Sequence, residues 1–239
     1  MAEDMLIART GNIVRITLNR PDKGNLVSRD MAQRLKAELA ALAEDEELRA
    51  VLLTGAGKDF CVGRDSAVDR ANPPKTGVEW HSRVARTILD VYGAIRDCPV
   101  PVIAAVRGKA IGFGCAMVGA CDIAYVADDS RFALSEMGYD IAPTLALFAL
   151  AKVSAKMRAG MVYSRAEIDA HTALAAGLAS RVVLGGNLES EVEGLLASMA
   201  EYPAINVRTV KRYLNNGIDA DPRIASDLAG FTLATVKSR

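Results

Sequence analysis

Between Pro101 and Pro143 the chain switches abruptly between two kinds of backbone. Pro101–Val106 (Pro-Val-Ile-Ala-Ala-Val) is an unbroken apolar run, the pattern of a strand covered on both faces. Gly108, Gly112 and Gly114 then break it, a helix of small residues follows to about Cys121, and Cys121–Val126 reads as a second strand. Next come Phe132–Glu136 and Asp140–Pro143. A glycine-rich turn that feeds a helix leaves backbone N–H groups unpaired at the positive end of the helix dipole. Such a place holds an anion, and a developing oxyanion is an anion that catalysis often has to hold.

The flanking segments have the same rhythm. Val14–Leu18 alternates as a strand does, and Ser28 is positioned to cap a helix running to about Ala43 with Met31, Leu35, Leu39 and Leu42 on one face. Arg49–Thr54 is the next strand, Gly55–Gly57 turns out of it, and residues 66–79, containing Asn72-Pro73-Pro74, read as a mobile surface loop. A helix from about Val78 to Asp97 is stopped by Pro99, which begins the third strand. Strand–helix alternation of this kind predicts an α/β fold with parallel strands and right-handed crossovers. Beyond Pro143 the pattern is helical over 144–152, 154–163, 165–176, 187–201, 203–216 and 222–237, interrupted by a strand-like Ala179–Val183.

Three motifs stand in order along the chain: Leu18–Asn25 (Leu-Asn-Arg-Pro-Asp-Lys-Gly-Asn), Phe60–Asp65 (Phe-Cys-Val-Gly-Arg-Asp), and the Gly108–Asp122 block. Together, at these separations, they resemble the enoyl-CoA hydratase/isomerase (crotonase) family, over about Leu18 to Val183 with a weaker match beyond. The resemblance implies an α/β spiral of ββα units. It implies a core domain over residues 1–183 and a helical C-terminal region over 184–239, used for trimerisation and for the coenzyme A pocket. It also implies a homo-oligomer, either a trimer or a dimer of trimers.

The same resemblance assigns roles. The N–H groups of Arg64 and Phe113 would form an oxyanion hole, with Val62, Gly63, Asp65, Gly112 and Gly114 around the substrate. Arg20, Lys23, Asn25 and Leu26 would lie beside the nucleotide part of coenzyme A, and Lys211 or Arg212, of this or a neighbouring subunit, would meet its phosphates. Coenzyme A would then belong to the substrate thioester, with no separate cofactor and no metal. Phe113 stands where the family usually has glycine, which leaves the N–H in place but adds bulk beside the acyl group.

Hydratases of the family typically use two glutamates. The second is matched by Glu136; at the place of the first this chain has Ala116. Asp140, four residues after Glu136, is the other candidate acid or base, since a helical or turn-like segment would let both carboxylates face one space; its alternative role is that of a helix cap or turn residue before Pro143. One carboxylate suffices to move a proton between carbons, whereas the usual addition of water employs two. The expectation is therefore acyl-CoA double-bond chemistry, with isomerisation favoured over standard hydration. Thioester hydrolysis, carbon–carbon cleavage and a non-catalytic acyl-CoA-binding protein are the alternatives.

Other chemistries find little support. Lys+Arg and Asp+Glu both number 29, so no net charge draws the chain to nucleic acid or to an anionic membrane. The four cysteines, Cys61, Cys98, Cys115 and Cys121, show no Cys-x-x-Cys spacing, and with two histidines a zinc site is not expected. Cys115 beside the glycine turn has no neighbouring histidine to activate it, so it reads as a packed thiol. His81 and His171 sit in helical stretches, and of the two only His81 has a position from which substrate could be touched. Without a basic-then-apolar leader, and with unpaired thiols, the expected location is the cytoplasm.

Overall fold

The structure is a computed structural model and describes residues 3–238. Met1, Ala2 and Arg239, the outermost residues of the two expected regions and of the expected leaderless start, lie outside the described residues. The elements run β1 (Met5–Thr10), β2 (Ile13–Leu18), α1 (Arg29–Ala41), β3 (Ala50–Gly55), α2 (Ala67–Ala71), α3 (Gly77–Trp80) and α4 (Arg86–Asp97). They continue as β4 (Val102–Val106), β5 (Lys109–Ile111), α5 (Phe113–Ala120), β6 (Ile123–Ala127) and β7 (Arg131–Ala133). The remainder is α6 (Thr144–Ala149), α7 (Ala155–Ser164), β8 (Ile168–Asp169), α8 (Ala170–Ala175), β9 (Arg181–Val183), α9 (Leu188–Ala200), α10 (Ala204–Asn216) and α11 (Pro222–Lys237).

The main sheet has six strands in the order β1-β2-β3-β4-β6-β9. All neighbours from β2 onward are parallel, and β1 alone runs antiparallel, pairing Met5 with Leu18. Every residue of β4 is buried, as expected of a strand covered on both sides. A smaller sheet, β5-β7-β8, is built from short strands, of which β5 and β7 directly follow β4 and β6. The path β4-β5-α5-β6-β7 is thus one turn of the expected ββα spiral, and isolated bridges from Val27 to Arg64 and from Cys61 to Ala110 extend the second layer.

Differences from the sequence reading have local causes. Strand β1 was not expected; only Met5 of its six residues is buried, so no alternation marks it. Its sign is the Gly11-Asn12 turn into β2, with Gly11 at φ 57°. Residues 66–79 are not loop throughout but carry α2 and α3. The expected helix over 78–97 is α3, a π-helical turn at His81–Ala85, then α4. Residues 165–176 hold the two-residue strand β8 before α8, not one helix.

The main sheet separates two apolar layers. On one side Leu35 and Leu39 of α1, Val91 and Ile95 of α4 and the fully buried Met117 of α5 pack over Ile16, Leu53 and Ala104. On the other, Leu188, Val192, Leu196 and Met199 of α9 cover Leu52, Ile103 and Ala105. Helix α9 therefore covers the second face of the sheet, while α10 returns to the first layer through the buried Val207. Helix α11 has no buried residue and packs on α10.

Candidate functional site

Backbone pairing brings three separated turns side by side. The Cys61 N–H donates to the Lys109 carbonyl at 3.0 Å and the Ile111 N–H donates to Cys61 at 2.9 Å. The Gly112 N–H donates to Ala133 at 2.8 Å, and the Val27 N–H to Gly63 at 3.0 Å. The Phe60–Asp65 turn, the start of α5 and the end of β7 thus adjoin in the second layer. Gly63 (φ 135°) and Gly112 (φ 53°) both occupy backbone regions that a side chain disfavours.

Neither the Arg64 nor the Phe113 N–H donates to a backbone carbonyl among the described residues. Phe113 is the first residue of α5, so its N–H is one of the donors a helix leaves open. Gly114 is needed for the approach: a β-carbon there would collide with the Cys61 carbonyl.

Glu136 opens a 3-10 turn over Glu136–Tyr139, just after β7. A β-carbon on Gly112 would stand 3.2 Å from Glu136 Oε1, so the carboxylate faces the turn that carries the Phe113 N–H. Its other oxygen, Oε2, is buried without a hydrogen-bond partner. Burial raises the Glu136 pKa, against smaller lowering by the Ser135 and Glu136 backbone N–H groups. A half-buried carboxylate with an unused oxygen and raised proton affinity is a competent acid or base.

Asp140 is placed differently. It is exposed, in left-handed conformation (φ 57°), and its N–H closes the turn onto the Glu136 carbonyl. The segment is a single 3-10 turn, and Asp140 ends it in the left-handed conformation that aspartate tolerates, exposed where Glu136 is half-buried.

The phenyl ring of Phe113 is turned inward, 6% exposed, with its centroid 5.3 Å from that of Tyr92 on α4. Its expected bulk beside a ligand is thus mostly spent on packing. Ala116, one turn further along α5, is fully buried. The Arg64 side chain is ion-paired with the buried Asp69, which Arg29 of α1 also holds. Asp69 and Tyr92 were missed in the sequence: Tyr92 reads as one more apolar position beside Val91 and Ile95, and nothing in spacing joins Asp69 to Arg64.

The expected ligand-binding residues divide in two. Lys23 is exposed, and Val62 and Leu26 are partly exposed beside Gly63. Arg20 and Asn25 instead secure the loop. Arg20 donates to the Leu26 carbonyl at 2.8 Å and pairs with Asp65 at 3.1 Å, while the fully buried Asn25 amide donates to the Ala56 and Asp59 carbonyls at 2.9 and 2.7 Å. The Ala67 N–H, and after it Arg20, hold the Asp65 carboxyl below the usual range. Lys211 is a correction: it is 2% exposed and its ammonium is ion-paired with Asp122, so it is not presented to a phosphate. All four cysteines are free and buried; burial pushes the Cys61 thiol up to about 12 and Cys115 higher, which keeps both inert at neutral pH. His81 and His171 are both exposed. No helix among the described residues is long and apolar enough to cross a membrane.

Known proteins resemble this chain over most of its length. The family model described as enoyl-CoA hydratase/isomerase matches residues 8–234. The chain is 33% identical over 190 residues to the Xenopus laevis mitochondrial enoyl-CoA hydratase domain-containing protein 3, covering 79% of this chain and 64% of the relative's length. Among solved structures, a Mycobacterium smegmatis enoyl-CoA hydratase superposes with a TM-score of 0.93 at 33% identity, over 98% of this chain and 91% of the other. A Thermobifida fusca YX protein crystallised in complex with CoA superposes with a TM-score of 0.89 at 26% identity, over 98% and 93%.

Proposed function

Because the chain belongs to the enoyl-CoA hydratase/isomerase family, we propose that it moves the double bond of an enoyl-CoA thioester, with Glu136 as the proton carrier. The observation that carries this reading is the Glu136 carboxylate beside Gly112 and the open Phe113 N–H, with Ala116 where a second carboxylate would stand. The thioester oxygen accepts from the Arg64 and Phe113 N–H groups. Glu136 takes a proton from C2 of a 3-enoyl thioester, and the C–H pair becomes the enolate. The C2–C3 double bond then forms as the C3–C4 pair accepts the same proton, returned by Glu136 to C4. Nothing is consumed. One hole donor is worth about 10²–10³ in rate, or about 3–4 kcal/mol.

Lys23, with the backbone of Asn25 and Leu26, is suited to the nucleotide end of coenzyme A; Arg20 contributes by holding that loop. Coenzyme A enters as part of the substrate. The exposed apolar residues of α11, Ile224, Leu228, Phe231 and Leu233, suit a homo-oligomer, a trimer or dimer of trimers.

The test offers the purified protein matched 3-enoyl- and 2-enoyl-CoA and follows products by chromatography. Isomerisation of the first should outpace hydration of the second. Hydration as the faster reaction, or release of free coenzyme A, would displace this reading in favour of a hydratase or a thioesterase.

A further inference from the structure

The N-terminus of α5 is flanked by two polar groups, of which the family motifs account for one. On one side stands Glu136, whose Oε2 is buried and unpartnered. On the other stands Tyr92, whose ring lies against that of Phe113 and which is only 2% exposed. The hydroxyl of Tyr213 donates to the Ala225 carbonyl, but the hydroxyl of Tyr92 has no hydrogen-bond partner among the described residues. Its oxygen is not fully enclosed, although the residue as a whole is buried. A buried phenol without a partner is uncommon, because desolvating the hydroxyl costs free energy that a hydrogen bond ordinarily offsets. Here the same is true of an acceptor on the neighbouring element.

Charge links the two. After burial, the Glu136 carboxylate is the largest influence raising the Tyr92 pKa, which stays well above the ordinary phenol range. The hydroxyl is therefore a proton-bearing donor at any working pH. Glu136, once ionised, is an acceptor. The two do not bond each other. What complements an unused donor and an unused acceptor is a small group that accepts from one and donates to the other, such as water or a hydroxyl.

We propose that Tyr92 is a further catalytic residue, its phenol O–H holding a water or a substrate β-hydroxyl opposite Glu136 Oε2. The proposal rests on the reading of the site above and adds a group where Ala116 supplies none. In hydration of a 2-enoyl thioester, the water oxygen accepts from Tyr92 and bonds to C3. The π pair becomes the enolate held by the Arg64 and Phe113 N–H groups. The water proton passes to Glu136 and from there to C2. The product is the 3-hydroxyacyl thioester, and Tyr92 keeps its proton throughout. In reverse, the same O–H stabilises the departing hydroxide. Proton shuttling between C2 and C4 uses no such oxygen, so Tyr92 bears chiefly on the water reaction.

Tyr92→Phe tests this, because it keeps the ring on Phe113 and removes only the oxygen. Hydration of a 2-enoyl-CoA and isomerisation of the matched 3-enoyl-CoA are measured on both proteins, with thermal melts as a check on packing. The expected result is a fall of about tenfold or more in the ratio of hydration to isomerisation, expressed in kcat rather than KM, with an unchanged melting temperature. An unchanged ratio overturns the proposal, as does a wild-type protein that isomerises without measurable hydration. If the wild type transforms neither thioester, the reading of the site itself fails, and the Tyr92 role with it.

Discussion

At the residue scale, Glu136 sits in an environment that works against its ionisation. Burial raises its pKa, so the folded state binds the proton more tightly than the unfolded chain does. Its contribution to stability is then full below the unfolded pKa and is lost as pH rises through the folded one. Glu136→Gln, which removes the charge at constant size, should therefore raise the melting temperature at pH 7 by more than at pH 4. The same change should lower turnover by about 10²-fold or more while thioester binding persists, the usual loss for a general acid–base group. In the wild type, the acidic limb of the kcat/KM profile should lie above the ordinary glutamate range, where the carboxylate becomes available as a base. Unaltered turnover in Glu136→Gln would remove Glu136 from the mechanism. Glu136 was legible in the sequence from its place in a motif. Its unpartnered oxygen was not, because only the approach of Gly112 and the surrounding chain decides what that oxygen meets.

At the element scale, the start of α5 is set by contacts with a turn some fifty residues earlier. Gly114 permits the Cys61 carbonyl to approach, and that approach brings the turn carrying Arg64 beside the one carrying Phe113. Gly114→Ala should cost about 1–3 kcal/mol, the range for forcing extra volume into a packed interior. Denaturant titration measures it, and a variant as stable as wild type would mean that the two turns can separate freely. The glycines of this block could be read as a turn from the sequence. Their partner could not, since Cys61 and Gly114 meet only through the pairing of the second sheet. The strands of that sheet escaped the sequence reading for a related reason: β5 and β7 are three residues each and β8 two, too short for alternation to show.

At the scale of the whole molecule, the apolar face of α11 is the least satisfied surface. Phe231 is 72% exposed and Ile224 55%, seven residues apart on one side of a helix with no buried residue. Burial between copies would remove this area from water at about 25 cal/mol per Å². Sedimentation should find an oligomer, and Phe231→Asp should shift it toward monomer without unfolding the sheet. A monomer at micromolar concentration in the wild type would dismiss α11 as an assembly surface.

Periodicity and glycine placement by themselves determined the parallel α/β order, the main helices and the two glycine turns, because those depend on residues near each other in the chain; the pairing of the Arg64 and Phe113 N–H groups came only from the family motifs. Tertiary structure alone decided the fates of Lys211, Asp140 and Tyr92. Lys211 looked like a surface cation and is sealed against Asp122. Asp140 looked like a partner for Glu136 and ends its turn in the open. Tyr92 reads as core, and it stands against the Phe113 ring at the start of α5. In each case the side chain's role follows from the electrostatics and solvation of its surroundings, and those surroundings come from elements distant in sequence.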